Sequence, residues 1–184
     1  AAAPAGPRPV DIRQKVDADR GTLKRLQLLI PGYRGYRMGE DIRAADSLLR
    51  RQVADKIHGA LVQLQQARSD LAQANQFQIL NDFTQLTADL QQLEVHIRNA
   101  EQGYSGISAA VRVQNADLDR LYEYDYGFAE AADQLSVGVT QLRTTIMASA
   151  PGTIGPAVST VRGQVGQLNQ AFQARMKAIE GIQV

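Results

Sequence analysis

Apolar side chains recur every three or four residues along most of this 184-residue chain. The longest stripe consists of Ile42, Leu49, Val53, Ile57, Leu61, Leu64 and Leu71. Because an α-helix has about 3.6 residues per turn, this spacing puts all seven on one helix face. Arg43, Arg50, Gln52, Gln66 and Asp70 are then expected to lie away from it. A helix of this kind must bury its apolar face against other helices.

The same spacing predicts helices over residues 10–30, 83–100, 118–146 and 158–179. They are separated by Pro31-Gly32, by a link near residues 75–80, by Gly103-Tyr-Ser-Gly106, and by a Pro/Gly-rich segment at residues 150–156. Asn81 or Asp82 is expected to cap the third helix, and Asn115 or Asp117 the fourth. One continuous helix across residues 75–80 is the alternative. No segment has a convincing strand pattern.

The predicted fold class is therefore all-α, an elongated antiparallel bundle of four or five helices with coiled-coil-like seams. Residues 10–184 are expected to form this bundle. Residues 1–9, which are rich in proline and alanine, are expected to be a disordered linker. The low aromatic content of 5% agrees with a bundle, because long seams between helices use leucine and alanine.

Overall composition excludes several classes of protein. The net charge of +1 gives no global field toward nucleic acid, and the absence of cysteine excludes disulfides and thiol catalysis. No apolar run approaches the roughly 18 residues of a transmembrane helix. We expect a cytoplasmic protein, and the alternative is a processed export signal before Ala1.

Charge is distributed unevenly along the chain. Residues 1–50 contain ten Lys and Arg against six Asp and Glu, whereas residues 101–150 contain three against seven. Segments of opposite charge face each other within one chain or face complementary partners. We expect the intramolecular match.

One segment between two predicted helices contains more aromatic and basic side chains than a turn requires. It is Pro31-Gly-Tyr-Arg-Gly-Tyr-Arg37, which we call the Tyr/Arg loop. Its rings and guanidinium groups could stack on a base or bind a phosphate, but it lacks the Gly-Lys-Ser/Thr of a phosphate-binding loop. The structural interpretation, in which tyrosine rings cover a bundle end and the arginines pair with Asp or Glu of a neighbouring helix, is favoured over a protein partner. A protein partner is favoured over a small ligand or nucleic acid.

The natural counterpart of the Tyr/Arg loop is the acidic and aromatic segment 117–125. An ion pair of Arg34 or Arg37 with Glu123 or Asp125 is expected. The candidate partner-binding residues are Tyr33, Arg34, Tyr36, Arg37, Tyr122, Glu123 and Tyr124. Whether these two groups bind a partner or close on each other is left open by the sequence.

Several motifs occur in a fixed order: Pro31-Gly-Tyr-Arg-Gly-Tyr, then Glu40-Asp-Ile-Arg-Ala-Ala-Asp-Ser-Leu-Leu-Arg50, then Gly103-Tyr-Ser-Gly106, and finally Ala110-Val-Arg-Val-Gln with Leu118-Asp-Arg-Leu-Tyr-Glu-Tyr-Asp125. Over roughly residues 20–145 the chain resembles an uncharacterised prokaryotic family of soluble helical proteins. The resemblance implies an α-helical domain and transfers no activity, cofactor or catalytic residue.

Catalytic and metal-binding patterns are weak. Di-iron bundles use Glu from two helices and Glu-x-x-His from two more, but here Asp55 precedes His58 and Leu93 precedes His96 at that spacing. There is no Gly-x-Ser-x-Gly motif. We therefore expect no metal, no cofactor and no enzymatic activity.

The function predicted from the sequence is a non-enzymatic scaffold or adaptor subunit with a protein partner or self-association. Specific nucleic-acid binding and a transmembrane segment are not expected. One alternative is a small-ligand or nucleotide-binding module that uses the Tyr/Arg loop. A second is a peripheral membrane protein, because the basic N-terminal third could contact anionic lipid.

Overall fold

The structure, a computed structural model, describes residues 12–35, 39–100, 115–148, 150 and 152–181. Five helices make up most of these residues. They are α1 (Ile12–Leu29), α2 (Gly39–Gln73), α3 (Phe77–Asn99), α4 (Asn115–Met147) and α5 (Ile154–Glu180). No strand occurs in these residues, so the all-α prediction is confirmed. The linker predicted over residues 1–9 and the Gly103–Gly106 break lie outside the described residues.

The link between α2 and α3 is short, which overturns the alternative of one continuous helix. It occupies residues 74–76, and Asn75 has a φ of 57°, a left-handed conformation that asparagine tolerates. The third helix starts at Phe77, ahead of the expected cap at Asn81 or Asp82, and Gln76 at its N-cap position makes no capping side-chain hydrogen bond.

The break before α5 is also shorter than predicted. Helix α5 begins at Ile154 and includes Pro156 in its first turn. Proline is tolerated there because the first backbone N–H groups of a helix have no partner within the helix. The segment 150–156 therefore contains both the break and the start of the next helix.

Two helical hairpins lie side by side. Helices α2 and α3 form one hairpin and α4 and α5 the other, with α2 beside α4, α3 beside α5, and α1 against α4. The two hairpins are aligned in parallel, since Lys56 pairs with Asp133 and, seven residues further along both helices, Thr140 hydrogen-bonds to Gln63. Arg162 of α5 likewise reaches the Asp82 carbonyl at the start of α3.

The predicted apolar stripes form the core. Buried members include Leu49, Val53, Ile57, Leu61, Leu64 and Leu71 of α2, and Phe83, Leu86, Leu90, Leu93 and Ile97 of α3. Each fully buried aliphatic or aromatic side chain stabilises the fold by roughly 1.5–3 kcal/mol. One expectation for α2 was wrong: Arg50, expected to lie away from the stripe, is only 3% exposed.

Candidate functional site: a buried ionic network

Five polar side chains of the described residues meet inside one end of the bundle. They are Tyr33 from the Tyr/Arg loop, Asp46 and Arg50 from α2, Asp125 from α4, and Arg175 from α5, and we call them the buried network. Asp125 and Arg175 are 0% exposed, Asp46 is 1% exposed and Tyr33 is 2% exposed. Such groups are rarely buried this deeply unless they are paired.

Arg175 is the centre of the network. Its Nε donates to Asp125 Oδ1 at 2.5 Å, and its Nη1 donates to Asp46 Oδ1 at 2.5 Å. The guanidinium carbon also lies 5.8 Å from the centre of the Phe128 ring, within the range of a cation–π contact. One arginine of α5 is therefore bonded to carboxylates on both α2 and α4.

The two carboxylates each have a second donor. Tyr33 Oη donates to Asp125 Oδ2 at 2.5 Å, and Arg50 Nε donates to Asp46 Oδ2 at 2.7 Å. Among the described residues, two positive and two negative charges are thus buried together, and these four charges balance. This balance matters because an isolated buried charge is strongly destabilising.

Arg50 extends the network to α3. Its Nη1 donates to the backbone carbonyl of Ile97 at 3.1 Å and to that of Arg98 at 3.3 Å. Carbonyl groups at the end of a helix lack partners within the helix, so a cation there satisfies them and interacts favourably with the helix dipole. The network consequently joins α2, α3, α4, α5 and the Tyr/Arg loop.

The loop is packed tightly against α4. The Tyr33 and Tyr122 rings meet edge to face with centroids 6.4 Å apart. Gly35 lies so close to Tyr122 that a Cβ placed on it would be 2.5 Å from the tyrosine hydroxyl. Gly32 and Gly35 both have positive φ, at 87° and 84°. The glycines of this motif thus permit a left-handed turn and a close approach to Tyr122.

The predicted partner-binding residues are divided by the structure. Tyr33 is buried and Tyr122 is half-buried against it, so these two close on each other, as the structural interpretation has it. Arg34 and Glu123 are exposed. Tyr36 and Arg37 lie outside the described residues.

Tyr124 belongs to a different surface. It is half-buried on the flank of α4 that faces α5, where Arg120 stacks over its ring at 5.9 Å. Tyr122 lies on the opposite flank, against the loop. The aromatic residues of the acidic segment therefore do not form one continuous face.

The expected ion pair of Arg34 with Glu123 or Asp125 does not form among the residues that are described. Asp125 accepts instead from Tyr33 and Arg175. Two aspartates of the acidic residues 101–150 pair with cations outside the basic residues 1–50: Asp125 with Arg175, and Asp133 with Lys56. The match of opposite charges is intramolecular at these two positions, and the expected pairing of Arg37 lies outside the described residues.

The sequence did contain a signal for the network. Asp46 precedes Val53 by seven residues, Arg50 precedes Ile57 by seven, and Arg175 follows Leu168 by seven. Seven residues are nearly two helical turns, so each charged residue shares the buried face of its apolar neighbour. A pattern restricted to apolar residues does not include Arg175.

A second polar cluster lies on the surface between α2 and α3. Arg98 pairs with Glu94 at 2.9 Å and with Asp55 at 3.2 Å, and His58 Nδ1 lies 3.6 Å from Glu94. The hydrogen bond that Arg98 donates to Glu94, and then the bonds that it donates to Asp55, raise the pKa of Arg98 above its ordinary value although burial opposes them. Arg98 accordingly remains charged.

Comparison with models of protein families, with curated proteins and with solved structures found no match to this chain. The resemblance based on the Tyr/Arg loop and the segments that follow it stays a prediction. Across the described part of the chain, every helix is either too short or too polar to cross a membrane.

Proposed function

We propose that the protein is a non-enzymatic scaffold or adaptor that presents the outer faces of a rigid helical bundle to a protein partner. The observation that carries this proposal is that the side chains of the buried network form hydrogen bonds with one another inside the bundle. They are Tyr33, Asp46, Arg50, Asp125 and Arg175. These are the residue types from which a catalytic or ligand-binding site would be built, and here they bond to one another.

This arrangement supports an architectural role for the Tyr/Arg loop. Buried polar networks can select one arrangement of helices because any other leaves a charge unpaired. A bundle end fixed in this way keeps exposed residues such as Arg34 and Glu123 in constant relative positions. A preorganised surface binds with a smaller loss of conformational entropy than a mobile one.

The experiment is gentle native purification of the protein, with mass measured by light scattering and composition by mass spectrometry. If the protein is an adaptor, it should co-purify with another protein as a complex of defined mass. A monomer with which no other protein co-purifies contradicts the proposal. Tyr33→Ala is an unsuitable variant because it removes a buried side chain of the network. Arg34→Gln and Glu123→Gln alter exposed positions and leave the network intact.

A peripheral membrane role is the second candidate, favoured by the outer face of α1. Lys24 and Arg25 are exposed there, and Leu28, one turn further, is 84% exposed. Basic residues beside an exposed leucine are typical of helices that bind anionic lipid surfaces. Sedimentation with phosphatidylserine vesicles, compared between wild type and Leu28→Gln, tests this candidate.

A further inference from the structure

An open groove of about 470 Å³ lies between the first turns of α4 and the last turns of α5. Its polar lining consists of Arg120, Tyr124, Asn169, Gln170, Gln173 and Lys177. We call this the α4/α5 groove. It lies outside the buried network, whose Arg175 points from the same helix into the core.

The charge of the groove has one sign. Arg120 and Lys177 are both exposed, and within the described residues neither forms an ion pair with an aspartate or glutamate. Arg120 instead stacks over the Tyr124 ring. Asp119 is next to Arg120 in the chain, and Asp117, Glu123 and Glu180 are three positions from Arg120 or Lys177, but none of the described residues that line the groove is acidic. A ligand that fits this surface supplies the missing negative charge.

The shape of the groove favours a macromolecular ligand. Sites for small molecules enclose most of the surface of the ligand, whereas this groove is open to solvent along its length. The lining from Asn169 to Lys177 spans two turns of α5, which suits an extended or helical segment. Nucleic acid is disfavoured because the described residues that line the groove include only two cations to contact phosphates.

We propose that the α4/α5 groove binds an acidic segment of a partner protein. Carboxylates of that segment accept hydrogen bonds from Arg120 and Lys177, the amides of Asn169 and Gln173 donate to its remaining polar groups, and the Tyr124 ring contacts its aliphatic stems. This inference rests on the proposed adaptor function and specifies the chemistry of the partner.

The test uses two synthetic probes. One is a helix-forming, glutamate-rich peptide with a fluorophore, and the other carries glutamine at each glutamate position. Fluorescence anisotropy measures the affinity of the wild type, of Arg120→Gln/Lys177→Gln, and of Arg51→Gln/Arg68→Gln. The last variant loses the same charge from exposed positions on α2 and is the matched control.

We expect the groove variant to bind the glutamate peptide about tenfold more weakly than wild type, since two charge-assisted contacts are lost, and the control variant to bind it unchanged. The affinity of the wild type should fall as salt is raised. Thermal unfolding of both variants verifies that the fold is retained.

Three results would overturn the inference: equal weakening in both variants, equal affinity for the glutamine peptide, or preferential binding of a single-stranded oligonucleotide that depends on Arg120 and Lys177. Native purification separates this inference from the adaptor function. If a partner co-purifies with the wild type and also with the groove variant, the assignment of the groove as the binding site is wrong and the adaptor role stands. If the wild type brings none, the adaptor role itself fails.

Discussion

Arg175 and Asp125 form an ion pair that is closed to solvent and joins the open end of the α4–α5 hairpin, with Nε and Oδ1 2.5 Å apart. The two residues are 50 positions apart in the chain, and the link between their helices is at the other end of the bundle. Through Nη1 the same arginine also reaches Asp46 of α2. The contact therefore fixes where the two hairpins meet.

Replacing Arg175 with methionine should destabilise the protein by about 3–5 kcal/mol, because Asp125 and Asp46 lose a buried cation. Urea unfolding followed by circular dichroism measures the change. Arg162→Met is the matched control on the same helix, since Arg162 is exposed and, within the described residues, donates only to the Asp82 carbonyl. Its effect should be about 0.5 kcal/mol or less. Equal losses in the two variants would show that the buried pair is energetically unimportant.

Removing the whole pair should be less harmful than breaking it. The triple variant Tyr33→Phe, Asp125→Leu and Arg175→Met removes all three of these bonded polar groups and keeps the Asp46–Arg50 pair. It should recover most of the stability lost in Arg175→Met, to within about 1–2 kcal/mol of wild type. Urea midpoints and slopes measured together check this expectation. A triple variant as unstable as the single one would contradict it.

The fold was largely predictable from the sequence, because the apolar stripes of α2 and α3 alone specify which helix faces are buried. The predicted positions of the helix ends were less accurate. Phe77 begins α3 without the side-chain cap that Asn81 or Asp82 seemed to offer, and Pro156 fits inside the first turn of α5. Residues that can cap or break a helix do not always do so, so they locate helix ends poorly. A whole apolar stripe, in contrast, has to be buried, so it specifies the buried face.

The candidate site was predictable only in part. The motifs around Tyr33 and Tyr122 were expected to meet if they did not bind a partner, and they do meet. Arg175 could not be paired with Asp125 and Asp46 from sequence, since the register between three helices depends on packing along their whole length. Charged residues on apolar stripes show that a buried network exists, but not which residues are bonded.

Tyr33→Phe removes one hydroxyl and should destabilise the protein by about 1.5–3 kcal/mol, as expected for a hydrogen bond to a buried carboxylate. The ring remains in contact with Tyr122, so packing is preserved. Tyr126→Phe is the matched control, because its hydroxyl lies 3.5 Å from Glu130 on a half-buried surface and should contribute little. Thermal unfolding of the two variants compares the two bonds directly. A larger loss in Tyr126→Phe would contradict the assignment of Tyr33 to the network.

Three glycine-to-alanine variants separate backbone strain from steric contact. Gly21 lies within α1 with open space around it, so Gly21→Ala should stabilise the protein by about 0.5–1 kcal/mol through helix propensity. Gly32 has a φ of 87° and an acceptable 3.7 Å contact to Leu48. Gly32→Ala should therefore lose about 1–2 kcal/mol from the left-handed backbone alone.

Gly35→Ala should lower the free energy of unfolding by more than Gly32→Ala does. The added Cβ combines the same backbone strain with a contact of 2.5 Å to the Tyr122 hydroxyl. A double-mutant cycle with Tyr122→Phe isolates the steric part. Removing the hydroxyl should restore the steric portion of the loss, while the portion due to φ remains. Unfolding free energies of the four proteins in the cycle give the coupling. A coupling near zero would show that the loop moves away from α4 without cost, and Tyr33 would then not be held by a rigid loop.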